Sequence, residues 1–439
     1  MNSDKSASAI ALTVLLATLA LQFAFVSSDA VDAGFYDVRA NHPWNRLHET
    51  LIVRRIAGGR PFGTNELDPL VWADSQHLLA GESHEQAVRM LDEFLSQDLQ
   101  RLVEDPLKRA VLQHDLWGLF DWLADPNIDV LSEQRRKLRV RIAHAIRRLA
   151  LSAYEIQRLP DNYAAVMASE RLEPHAAKRS YLPATLLDQG GPWVQLEYET
   201  GGRIGTAHEE NVATKGRSAF LLFACLPEDD SSGDILSRFN AWAEHDARQD
   251  SETRRRQGYP SFQFPAGTQL ALVRRMLVID DHGIVRPTNI TERVQMRFFL
   301  QDPQLEHEQI KPQTFRLFVL NRSELLSQRF DKSLVPVGSH EKGFELGPVQ
   351  TPVSGDPFES ASAPLPPTVL MTSCARCHKD HGLLCLSRNN FSSLGTRPEN
   401  LRLAAEQSVN PHSTANWKAS QPEFRLLQEI VSQIEPFQN

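Results

Sequence analysis

Cys374-Ala375-Arg376-Cys377-His378 brings two thiols and an imidazole into five consecutive residues. Two thiols three residues apart can reach the two vinyl groups on one edge of a haem when the backbone turns tightly between them. The imidazole that follows is then directed beneath the iron as a neutral nitrogen ligand. The chain has four cysteines, Cys225, Cys374, Cys377 and Cys385, and three of them fall within SCARCHKDHGLLC. Four cysteines and fifteen histidines in 439 residues produce a C-x-x-C-H by chance roughly 0.001 times. Two other chemistries use the same atoms. Cys374, Cys377 and Cys385 with His378 or His381 make a Cys3His zinc set, although the gap from Cys377 to Cys385 is short for a zinc loop. A C-x-x-C dithiol can exchange disulfides, but that chemistry sits at a helix start in a β-α-β setting, and here a proline-rich stretch precedes it.

The five residues resemble the attachment site of c-type cytochromes. The resemblance is to the motif, covers the C-terminal sixth of the chain and extends no further upstream. It implies one covalent haem c, with Cys374 and Cys377 as the thioether attachment points and His378 as the proximal iron ligand, and electron transfer with a redox partner protein. Typical small c-type cytochromes place a methionine several tens of residues after the motif. Here the methionines are Met1, Met90, Met167, Met276, Met296 and Met371, and none follows His378. Met371 is too near Cys374 to cross easily to the opposite haem face. His381 would share a helix side with His378. His412, 34 positions beyond His378, has chain enough to wrap the haem edge, and Asn410-Pro411 and Ser413 suggest a loop around it. The distal ligand is therefore expected to be His412 or absent. An open iron would suit a haem enzyme or a gas or redox sensor.

No catalytic residues stand out. The chain has no G-x-S-x-G, H-E-x-x-H, G-x-x-x-x-G-K-[ST] or G-x-G-x-x-G, and one C-x-x-C-H argues against two-haem peroxidases, which need two. Three function classes stand: an exported one-haem electron-transfer protein, a haem enzyme or sensor, and an interaction protein whose cysteine cluster holds zinc.

The N-terminus bears on the compartment. ASAIALTVLLATLALQFAFV, Ala7 to Val26, follows Lys5 and gives way to small and polar residues, with Ser28 and Ala30 fitting an S-x-A cleavage site. Residues 1–30 thus read as a signal peptide or as an uncleaved anchor, because the run is nearly long enough to span a bilayer. Export to a periplasmic or extracellular space is expected, with membrane contact only through an uncleaved leader. A net charge of -8 argues against a general nucleic-acid binder, since phosphate contacts need a positive surface.

Several elements must position the motif, and the fold class expected is α+β multidomain. Residues 31–180 read as mostly helical. SHEQAVRMLDEFLSQDLQRLV starts with Ser83 as a cap and Glu85 as a first-turn acid, and EQRRKLRVRIAHAIRRLALSAYEIQRL carries Leu138, Ile142, Ala145, Ile146, Leu149, Ala153 and Ile156 as one apolar stripe. Its arginines lie mainly off that stripe, as a solvated face or a docking surface for an acidic partner. Residues 181–347 read as β-rich: Val294, Met296 and Phe298 alternate with Arg293, Gln295 and Arg297, as in a strand with one buried face. Asp280-Asp281-His282-Gly283 reads as a hairpin turn, with a metal site at Asp281 and His282 as the sharper alternative. DILSRFNAWAEHDARQ looks helical. Six prolines between Pro348 and Pro367 mark 348–368 as an extended linker. Residues 369–439 form the haem-binding, mostly helical cytochrome c-like segment. Cys225 and Cys385 remain as a pair able to form a disulfide.

Overall fold

Branched and aromatic residues at alternate positions build the centre of the protein. The structure, a computed structural model, describes residues 34–55, 61–65, 77–126, 131–172, 182–188, 191–198, 216–227, 266–300, 313–338, 342–343, 368–369, 401–403 and 412–433. Helices come first: α1 (Pro43–Leu51), the short antiparallel pair β1 (Arg54–Arg55) and β2 (Pro61–Phe62), then α2 (Gly81–Ser96), α3 (Pro106–Leu123), α4 (Ser132–Leu149), α5 (Ala153–Gln157) and α6 (Asn162–Leu172). Strands follow: β3 (Trp193–Tyr198), β4 (Ser218–Cys225), β5 (Gln269–Ile279), β6 (Val285–Phe299) and β7 (Gln313–Leu320). After α7 (Arg322–Leu326) come β8 (Leu334–Pro336), β9 (Lys342–Gly343), β10 (Thr368–Val369), β11 (Leu401–Leu403), α8 (His412–Ala419) and α9 (Pro422–Ser432). The fold is α+β. The chain divides into two compact units, Met1–Arg46 and Leu47–Asn439. In the first, the Asn45 side chain gathers a turn, accepting from the backbone of Tyr36 and donating to the carbonyls of Asp37 and Arg39.

In the second unit the main sheet has the order β11-β3-β4-β5-β6-β7-β8, every pair antiparallel. The expected alternation in β6 holds at Val294 and Met296, which are fully buried, with Phe298 half-buried against the same cluster. The expectation of one buried face is corrected: Arg297 is buried as well and Arg293 and Gln295 are half-buried, because the opposite face of the sheet is also covered. That face of the sheet adds Leu221, Phe223, Ala271, Val273 and Phe318, and α6 covers it with Tyr163, Val166 and Met167. The β5–β6 hairpin turns where expected. Asp280 Oδ1 accepts from the backbone N–H groups of His282 and Ile284, and Gly283 adopts φ 76°, which a residue without Cβ does without strain. Asp280, Asp281 and His282 bring ligand-type atoms within 4.8 Å of one another. The Asp280 carboxylate is nevertheless taken up by the turn and by Arg286 at 2.8 Å, so the turn explains this cluster without a metal.

Two helix ends differ from the sequence expectation. Helix α2 begins at Gly81 with Glu82 as the first-turn acid, and Ser83 lies inside the first turn, where its hydroxyl accepts from Leu78 N–H and donates to the Ala80 carbonyl. The helix expected to continue from Glu133 stops at Leu149, because Ser152 and Glu155 form a reciprocal capping box that starts α5. The stripe itself is correct, with Leu138, Ile142, Ala145, Ile146 and Leu149 all buried. Arg135 joins it, donating to the carbonyls of Trp122 and Asp125 and so closing the C-terminus of α3. On the exposed side Arg136, Arg141 and Arg148 pair with Glu133, Asp92 and Asp98.

Candidate functional site

Cys374, Cys377 and His378 lie outside the described residues, as do His381, Cys385, residues 1–33 and most of the proline-rich stretch. His412 is described by its backbone, as the first residue of α8. The loop expected around it is corrected at His412 and Ser413, which open the helix, while Asn410 and Pro411 lie outside the described residues. Four of the six methionines, Met90, Met167, Met276 and Met296, are core residues at most 8% exposed. Cys225 ends β4 half-buried. Among the described residues no helix is long and apolar enough to cross a membrane.

The described groups that cluster chemically sit on the opposite face of the sheet. Helix α3 builds that face. Asp105 caps it by accepting from Leu107 N–H at 2.9 Å, and Pro106 occupies its first turn, where a missing N–H costs nothing. From Ala110 to Leu123 every residue is buried, and an all-round buried helix is expected to be apolar. It is not, because it carries Gln113, His114, Asp115 and Asp121. Gln113 donates to Ile279 O at 2.8 Å and accepts from Ile279 N at 2.9 Å. It thereby serves backbone groups of β5 beyond Met276, where pairing with β4 ends.

Three ionic clusters radiate from α3. In the first, Asp121 Oδ2 accepts from Lys418 Nζ at 2.7 Å and from Arg217 at 2.9 Å. The Lys418 ammonium also lies 5.5 Å from the Trp117 ring centre. Gly118, a poor helix former, is explained by Arg217: a Cβ there would come within 3.3 Å of the guanidinium. Gly216 has φ 71°, and a Cβ on it would strike the Trp417 ring at 2.3 Å. Burial, reinforced by Arg217, pushes the Lys418 ammonium below the usual lysine range, against the pull of Asp121 and Glu423.

In the second cluster Glu292 Oε2 accepts from the Ser218 hydroxyl at 2.6 Å and from Arg274 Nε at 2.9 Å. Its Oε1 faces His114 Nε2 at 3.4 Å, within ion-pair distance but without hydrogen-bond geometry. His114 Nδ1 sits 3.1 Å from the Leu277 carbonyl, which can only accept, so that nitrogen carries a proton. In the third, Asp115 binds Arg322 through Oδ2, with His48 Nε2 at 3.8 Å. Burial pushes His48 down to about 3; Asp115 opposes this and Arg322 adds to it.

Ser218, Glu292 and His114 include the residue types of a hydrolytic triad. The glutamate, however, sits between serine and histidine, where the histidine would have to sit to take the serine proton, and all three side chains are sealed from solvent. Buried and mutually paired, the clusters seat α3 and α8 on the sheet. Sequence reading missed them because the partners are far apart, Asp121 and Lys418 by 297 positions. The one local signal was polar residues inside an otherwise apolar helix. No protein-family model, curated protein or solved structure is similar enough to the chain to count as a match.

Proposed function

We propose that this chain is an exported electron-transfer protein carrying one haem c. Cys374 and Cys377 attach it and His378 is the proximal ligand, in the C-terminal part of the chain, whose β11 joins the main sheet and whose α8 and α9 pack onto the α+β body. The observation that carries this reading is the C-x-x-C-H itself, in a chain with one cysteine upstream of the cluster and an apolar leader at its start. The donor set suits the group, since two thiols supply the thioether links and an imidazole the axial nitrogen. When bound, the haem supplies one-electron chemistry at iron, and the protein contributes placement, ligation and exclusion of water.

The core burial of Met90, Met167, Met276 and Met296 supports the expectation against methionine ligation. His412 is the proposed distal ligand, held at the head of a helix whose following turns are anchored by Thr414, Ala415 and Lys418, all at most 3% exposed. Bis-histidine ligation gives a lower potential than Met/His ligation.

Expression of the full chain in a host that matures c-type cytochromes, followed by metal analysis and optical spectroscopy, tests the reading. One iron per chain with a Soret band is expected, without the far-red band of methionine-ligated ferric haem. His412→Ala is expected to turn a six-coordinate spectrum five-coordinate and open the iron to carbon monoxide. Stoichiometric zinc without a Soret band would replace the reading with the zinc-bearing one. An unchanged spectrum in His412→Ala would remove His412 from it.

A further inference from the structure

At the head of α6 the apolar contact with the sheet gives way to polar residues. The β6–β7 ladder ends at Arg293. Two positions earlier the Asn162 side chain takes over, accepting from Thr291 N–H at 2.7 Å and donating to the Thr291 carbonyl at 3.0 Å. Asn162 opens α6, and Asp161 caps it, accepting from Ala164 N–H through Oδ1 at 2.9 Å and from Ala165 N–H through its carbonyl. The register between β5 and β6 shifts on either side of Arg275, which sets Arg275 directly opposite Thr291. Side chains at opposed positions share a face of the sheet. A guanidinium and a hydroxyl therefore lie together beside a helix N-terminus. Arg275 is 8% exposed and Thr291 is fully buried. Among the described residues, neither Arg275 Nε nor Thr291 Oγ1 has a hydrogen-bond partner. Asp161 is the one charged group that acts on the guanidinium, and it does so without a hydrogen bond. Arginine does not shed its charge in a protein, so a guanidinium this deep calls for an acceptor.

We propose that Arg275, Thr291 and the head of α6 form a binding site for a small oxyanion, a carboxylate or a phosphate group. The guanidinium offers donors alone, in a planar fork that matches two oxygens of such a group. The Thr291 hydroxyl can give a further hydrogen bond, and the first turn of α6 adds positive potential. Asp161 opposes the anion with its own charge and keeps the affinity modest. The site is independent of whether the cysteines carry haem.

Thermal unfolding of the full-length protein in inorganic phosphate, acetate or chloride, at constant ionic strength and pH, tests the site. A ligand that binds the folded chain raises the midpoint with its concentration. A saturable rise is expected with phosphate or acetate and not with chloride, and whichever of the two acts identifies a phosphoryl or a carboxylate ligand. Arg275→Met keeps the stem and removes the donors. It is expected to shift the dependence to at least about tenfold higher concentration, while the protein without added oxyanion is no less stable. Thr291→Val keeps the shape and should shift it by a smaller factor. Asp161→Asn retains a capping side chain and removes the opposing charge, so it should tighten uptake. No rise beyond that in chloride overturns the proposal. So does the same concentration dependence in Arg275→Met as in the natural chain or, where that variant does not fold, in Thr291→Val.

Discussion

The two faces of the central sheet are held by different physics. Toward α6 the contact is apolar, with Val294, Met296, Ala271, Val273 and Phe318 against Tyr163, Val166 and Met167. Toward α3 and α8 it contains Asp121, Arg217, Lys418, Glu292, Arg274 and His114, all at most 6% exposed. An apolar face gains from any good packing and tolerates changes that keep volume. A charged buried face gains little over an apolar one but penalises every arrangement that separates its partners. The first face supplies stability, and the second makes the seating of α3 and α8 nearly unique.

The largest expected effect breaks the charged face. Asp121→Asn removes the carboxylate that Lys418 and Arg217 share, and is expected to destabilise the fold by about 4 kcal/mol, read as a lower denaturant midpoint. Lys418→Met should cost far less, because it removes a cation and leaves Asp121 with Arg217. Equal losses in the two variants would show that charge balance does not set the energetics of this face.

The apolar face is sharpened by Met296→Ala. Met296 is fully buried amid the cluster, and the lost contacts plus the remaining cavity should cost about 3 kcal/mol. Met296→Leu conserves volume and should cost less than about 1.5 kcal/mol. If the two substitutions cost the same, packing on this face is looser than described.

His48 provides a pH probe near the charged face. Its folded value is about 3 against an ordinary 6.5, so the unfolded chain takes up a proton first as pH falls. The linked stability is complete above 6.5 and is lost progressively toward about 3. Acidification from pH 6.5 to 5 should remove about 2 kcal/mol, and His48→Gln should flatten that slope. An unchanged slope would assign the acid sensitivity to other groups.

The smallest effect lies outside both faces. Ser152→Ala removes one half of the capping box that separates α4 from α5, and should cost about 1 kcal/mol in thermal or denaturant unfolding. No measurable loss would mean that the break is maintained by Arg109, which donates to the Ala150 carbonyl at 2.6 Å.

The contrast between the faces also explains what could be read in advance. The apolar face was legible because period-two alternation at Val294, Met296 and Phe298 is a local pattern, and the Asp280–Gly283 turn has local chemistry. The stripe on α4 was legible for the same reason. The break at Ala150 was hidden because Ala153 and Ile156 continue the apolar spacing across it, and only the Ser152–Glu155 pair shows that the helix restarts. Ser83 resembled a cap because serine usually is one, but its hydroxyl binds behind the helix start instead. The charged face was not legible, since pairing Asp121 with Lys418 requires the fold itself. In the proposed haem site the opposite holds: the proposal rests on five adjacent residues, while His412 as distal ligand rests on its distance along the chain.

The central claim is the covalent haem, and retention of haem through denaturing electrophoresis tests it most directly. With the full chain matured in a competent host, the haem stain should migrate with the polypeptide. It should persist in Cys225→Ala and vanish in the Cys374→Ala, Cys377→Ala double variant. Haem that runs free of the unaltered chain, or a stain that survives loss of both cysteines, would contradict the claim.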